Sequence, residues 1–115
     1  MIRGRHYPLP NGRNAMRPRL FAALVRGPSM TPVLHDGDAL LVWRGGRINA
    51  GDVVVATFRA RPGLLVVKRA VREQDGGWWV RGDNEFVTDD SRAYGVADVI
   101  GRVLWRYWPR PRRLR

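Results

Sequence analysis

Short apolar runs separated by Gly-Asp steps dominate the chain. The clearest are Leu20-Phe21-Ala22-Ala23-Leu24-Val25, Val53-Val54-Val55 and Leu64-Leu65-Val66-Val67. They are rich in Val, Leu, Trp and Phe, and no stretch keeps a helical period for three turns. The pattern predicts strands over 20–26, 39–43, 53–59, 64–71, 78–81 and 99–108. Glycine supplies a left-handed backbone and aspartate bonds nearby main chain, so Gly37-Asp38, Gly51-Asp52 and Gly82-Asp83 read as turns beside these strands. In the last strand Val99, Gly101, Val103, Trp105 and Tyr107 fall on one face, with Arg102 and Arg106 on the other. That alternation predicts a half-buried strand. The expected fold is all-β: a single small domain of short antiparallel strands in a coiled or partly closed sheet.

Composition narrows the chemistry. A chain of 115 residues, 44% hydrophobic and with 5 tryptophans, has material for one folded core. Without cysteine there is no disulfide, thiol nucleophile or thiolate metal site. His6 and His35 are the only imidazoles, so neither a metal nor another cofactor is expected. The apolar runs are far shorter than the roughly 20 residues of a membrane span. The N-terminus lacks the apolar run and small-residue cleavage site of a signal peptide. The expectation is a soluble, cytoplasmic domain.

The formal charge of +11 invites an anionic partner. The excess, however, sits largely at the ends: Arg3, Arg5, Arg13, Arg17 and Arg19 before the first apolar run, and Arg110, Arg112, Arg113 and Arg115 after the last. Interleaved with Pro8, Pro10, Pro18, Pro109 and Pro111, these segments read as flexible basic tails over 1–19 and 109–115, flanking a domain over 20–108. Such tails suit peripheral contact with an anionic surface, to which Trp108 could add, and imply no specific nucleic acid.

Among the basic residues, Lys68 is the one lysine; every other is arginine. Arginine keeps its proton in proteins, whereas a desolvated lysine can lose it. On a strand, Val66 and Lys68 share a face, which would set the amine against apolar side chains and lower its pKa. Hydroxyls are also scarce. Ser29 stands in Gly27-Pro28-Ser29-Met30-Thr31-Pro32, where two prolines and a glycine restrict the loop directly after the first long strand. Ser29 is a candidate nucleophile. Its base is either Lys68 or His35, which lies beside Asp36 and Asp38 in a segment that otherwise reads as an exposed turn.

These boxes resemble the signal peptidase I-like Ser-Lys proteases. The resemblance rests on Gly27-x-Ser29-Met30-x-Pro32, the Gly-Asp steps at Gly37 and Gly51, and Val67-Lys68-Arg69. The box Gly82-Asp83-Asn84-x-x-x-Thr88-x-Asp90-Ser91-Arg92-x-x-Gly95 completes it. It covers roughly residues 22 to 105. The related repressor self-cleavage proteases share the Ser-Met and Lys elements but lack the last box. The resemblance implies Ser29 as nucleophile, Lys68 as general base and then acid, and Thr88 as the hydroxyl orienting the amine. It further implies Asp90 and Arg92 as a supporting ion pair and Met30 as a substrate contact. The Ser29 N–H would be one oxyanion donor; Gly27 occupies the position at which some members supply a second from a side-chain hydroxyl, and Pro28 has no N–H.

No membrane anchor is visible, and the short form resembles the nickel superoxide dismutase maturation proteases. The expected function is removal of an N-terminal propeptide from a protein substrate, with the nickel superoxide dismutase precursor as the candidate. An extended substrate is expected to add as a strand, with small residues near the cleavage point. The alternatives are a signal peptidase-like enzyme held at the membrane and a non-catalytic basic β-module that binds nucleic acid or acidic protein.

Overall fold

The computed structural model describes residues 2–5 and 19–114; His6 and most of the expected N-terminal tail lie outside the described residues. The described residues form antiparallel strands β1 (Ile2–Arg5), β2 (Leu20–Val25), β3 (Ala39–Arg44), β4 (Val53–Phe58), β5 (Leu65–Gln74), β6 (Gly77–Arg81), β7 (Ala97–Trp108) and β8 (Arg112–Arg113), of which β2 to β7 contain the apolar runs. One short helix, α1 (Ser91–Tyr94), precedes β7. Along the sheet the order is β1-β2-β3-β7-β4-β5-β6, with β8 on β7. A further pairing, Trp78 with Ala97, brings β6 back to β7. The sheet is therefore all-β and partly closed, as expected.

Strand β4 explains the density of valine at its place in the sequence. Val53 and Val55 enter one core cluster with Val42, Val67 and Val103, while Val54, Ala56 and Phe58 enter a second with Val66, Ala70 and Val80. Both faces of β4 are thus buried, and a strand covered on both faces reads as a continuous apolar run. Its neighbour β5 divides the same way, which puts Lys68 on the face of Val66 and Ala70.

Two expectations need correction, and the Gly-Asp turns differ among themselves. Ile2–Arg5 pairs with β2, and Arg112–Arg113 pairs with β7, so parts of both expected flexible tails are strands. Leu114, next to β8, is buried. The alternation of β7 does not run to its end: Trp105 and Tyr107 are exposed, while the Arg106 side chain is largely buried against Asp38 at 3.4 Å. The β3–β7 register shifts between Ala39 and Leu40 and again between Leu41 and Val42, and such irregularities re-aim the side chains that follow. Finally, the Gly-Asp steps are not equivalent. Gly37 and Gly51 have φ of 90° and 95°, and Asp38 and Asp52 each accept the main-chain N–H three residues back, from His35 and Asn49. Asp83 instead binds Arg69 on β5.

Candidate active site

The loop after β2 is built to hold Ser29 still. Gly27 adopts φ 86°, and its N–H donates to the Asp36 carboxylate at 2.8 Å. The turn that follows is closed by the Thr31 N–H donating to the Pro28 carbonyl at 3.1 Å. Met30 and Leu34 are 1% and 0% exposed and anchor the loop in the core. Ser29, between these anchors, is 9% exposed.

The segment after β6 grips this loop from the other side. A Cβ placed on Gly82 would meet the Ser29 carbonyl oxygen, so only glycine lets the two main chains approach so closely. Asn84 donates its main-chain N–H to the Ser29 carbonyl at 2.9 Å. Its side-chain amide donates to the Pro28 carbonyl at 3.1 Å and to Thr31 Oγ1 at 3.0 Å, and its Oδ1 accepts the Phe86 N–H at 3.0 Å. Asp83 ties the same segment to β5, accepting from Arg69 at 2.6 Å.

Lys68 lies on β5. The β5–β6 register pairs Arg69 with Arg81, and one step further sets Lys68 level with Gly82. Gly82 therefore lies between the strand that carries Lys68 and the loop that carries Ser29. The Lys68 side chain is 2% exposed. Burial pushes its pKa below the ordinary 10.5; Asp89 and Asp90 oppose that shift, and Arg92 adds to it. A buried amine with a lowered pKa is suited to accept a proton from a hydroxyl.

Asp90 is 0% exposed. It caps α1 and accepts from the Arg92 guanidinium at 2.7 and 2.9 Å and from the Gly82 N–H at 2.9 Å. Burial alone would raise its pKa, but these bonds outweigh burial and hold it below 3.8. Asp90 thus supports Gly82, and through it the Ser29 loop.

The other expected site residues fall as follows. Thr88 is exposed in the loop between Asn84 and α1. Met30 belongs to the core, so its side chain offers a substrate little surface. The Gly27 N–H is committed to Asp36 and is not available as an oxyanion donor. His35 is exposed in its turn, while Asp36 and Asp38 serve the main chain around it. Two residues of the last box have structural tasks that the sequence reading did not assign. They are Asn84, described above, and Ser91, which is 1% exposed and whose Oγ accepts the Val80 N–H at 2.8 Å. Their presence in the same box as Asp90 and Arg92 was the available signal. Among the described residues no group of three metal-ligating side chains comes together, and no helix is long and apolar enough to cross a membrane.

Gly82 thus has the buried Lys68 strand on one side and the Ser29 loop on the other. Comparison with known proteins gives the chain its family. Residues 2–104 match the Peptidase S24-like family. The mitochondrial ATP-independent inner membrane protease subunit 1a of Arabidopsis thaliana is 31% identical, over 74% of this chain and 68% of its own length. Mitochondrial inner membrane protease subunit 1 of Xenopus tropicalis is 32% identical, over 72% of this chain and 66% of its own. Signal peptidase IB of Staphylococcus aureus is 34% identical over 51% of this chain and 32% of its own length. The chain thus spans about two-thirds of the mitochondrial relatives and about a third of the staphylococcal one. The chain belongs to the Peptidase S24-like family, which places it among the serine peptidases.

Proposed function

We propose that the chain is a serine endopeptidase that works through a Ser29–Lys68 dyad. Neutral Lys68 takes the hydroxyl proton as Ser29 Oγ bonds to the scissile carbonyl carbon. Collapse of the tetrahedral adduct breaks the C–N bond, the leaving amine takes the proton from Lys68, and an acyl-enzyme remains. Water, deprotonated by Lys68, then hydrolyses the ester and restores Ser29. The observation that carries this reading is the burial of Lys68, at 2% exposure, level with the glycine that packs on Ser29.

The proposed task is removal of a short N-terminal segment from a protein, in keeping with relatives named as signal peptidase and inner membrane protease. The nickel superoxide dismutase precursor is the first substrate to test, on the resemblance described above. Action at a membrane surface is the second reading. It is favoured by Trp105, Tyr107 and Trp108, all exposed, near the arginines of 110–113.

The test is incubation of wild type and Ser29→Ala with that precursor and with peptides carrying small residues, reading new N-termini by mass spectrometry. Cleavage that is lost in Ser29→Ala is expected. Equal cleavage by both proteins would overturn the serine mechanism, and cleavage of peptides alone would remove the precursor as substrate.

A further inference from the structure

We infer that Asn84 and Thr31 are positioning residues that aim the Ser29 N–H at the developing oxyanion by clamping the carbonyl on the other side of the same peptide bond. The inference rests on the serine peptidase reading and identifies what holds its oxyanion donor in place.

A trans peptide unit is planar, and its C=O and N–H point in opposite directions. The Pro28–Ser29 bond is trans, so whatever fixes the Pro28 carbonyl also fixes the direction of the Ser29 N–H. Three donors converge on that carbonyl: the Thr31 N–H at 3.1 Å, Thr31 Oγ1 at 3.0 Å and Asn84 Nδ2 at 3.1 Å. Asn84 Nδ2 also donates to Thr31 Oγ1 at 3.0 Å, which closes a triangle of bonds. The Phe86 N–H on Oδ1 fixes which way the Asn84 amide faces. On the far side of Ser29, the Asn84 N–H holds the next carbonyl at 2.9 Å. Both peptide units flanking the nucleophile are therefore gripped by one residue. The Ser29 N–H itself has no acceptor among the described residues.

This grip matters because the hole is poor in donors. Gly27 gives its N–H to Asp36, and Pro28 has none, so within 27–29 only Ser29 has one to offer. A preorganised donor stabilises the oxyanion only if it already points at the place where charge appears. The Asn84 side chain bonds to Pro28, Thr31 and Phe86, not to Ser29 Oγ or the Lys68 amine; its effect runs through the peptide plane.

The test measures kcat, KM and the pH dependence of kcat for Asn84→Ala, Thr31→Val and Thr31→Ser, with Ser29→Ala as control. Asn84→Ala and Thr31→Val are expected to lose roughly tenfold to a hundredfold in kcat, with KM and the midpoint of the pH profile unchanged. Thr31→Ser, which keeps the hydroxyl, recovers most of what Thr31→Val loses. If Asn84→Ala does not fold, the Thr31 pair decides. A lower melting temperature with kcat within about twofold of wild type would make the clamp merely structural and overturn the inference. A loss carried by KM, or by a shifted pH midpoint, would overturn it too. Full activity in Ser29→Ala would instead remove the serine mechanism on which it rests.

Discussion

A Cβ atom on Gly82 would fall 2.5 Å from the carbonyl oxygen of Ser29 and 3.4 Å from its Cβ. The obstacle is main chain, which cannot rotate aside, so Gly82→Ala must push the Ser29 loop away from β6. A destabilisation of about 1–3 kcal/mol is expected from overpacking alone. The informative comparison is Gly101→Ala, where the added atom meets the Trp43 carbonyl, on β3. Both variants should lose thermal stability. At temperatures where both remain folded, only Gly82→Ala should lose kcat; equal losses would mean that the Gly82–Ser29 contact has no special bearing on the site.

Asp90→Asn tests the support beneath that contact. In wild type Oδ2 accepts from the Gly82 N–H and Arg92 Nη2 while Oδ1 accepts from the Arg92 N–H and Nε; an amide has one acceptor oxygen, so one of these pairs of bonds is lost. A loss of about 2–3 kcal/mol at neutral pH is expected, below the usual cost of breaking a fully buried pair because Arg92 can turn to water. Because Asp90 titrates below 3.8 in the fold, its contribution is present above that value and lost as pH falls through the folded pKa. The difference in melting temperature between wild type and variant should therefore shrink in acid. A constant difference would show that the charge contributes little.

Strands β2 to β7 were legible in the sequence, and the two candidate residues stand out there, because each depends on local pattern. Runs such as Val53-Val54-Val55 specify buried strands, and Lys68 stands out against a background of arginine. What stayed hidden depends on distant partners. Strands β1 and β8 pair with distant partners, β2 and β7, and their arginine-rich sequences carry no apolar run to announce a strand. Exposure of Trp105 and Tyr107 follows from irregular pairing with β3, which no alternation within β7 records. The bonds from Asn84 to Pro28 and Thr31 cross more than fifty positions of sequence. Four residues of α1, begun by the Asp90 cap, are too few to show a helical period.

Lys68→Met is expected to stabilise the protein while abolishing activity, by roughly 0.5–2 kcal/mol at neutral pH, as is common when a site residue is held against its preference. In the unfolded chain the amine keeps its proton up to about 10.5; in the fold, burial releases it earlier. Between the two values the unfolded state binds more protons, so wild-type stability rises with pH through that window. The advantage of Lys68→Met should accordingly be largest near neutrality and shrink as pH approaches 10.5. Melting temperatures across that range check it. A wild type more stable than the variant at neutral pH would show that the lysine is held by favourable partners and is not waiting as a base.

Lys68→Arg separates the base from the charge. Arginine stays protonated at any accessible pH, so it cannot take the Ser29 proton. Its larger head would also have to fit a position that is 2% exposed and shares a face with Val66 and Ala70. The variant is expected to be as inactive as Lys68→Ala, even though this chain uses arginine at every other basic position. In wild type, kcat should rise with pH through a midpoint below 10.5, because burial of Lys68 favours the neutral amine. Activity of Lys68→Arg within a few-fold of wild type would exclude Lys68 as the base. So would a rate that stays flat with pH up to 10.5, and either result would turn attention to the exposed His35.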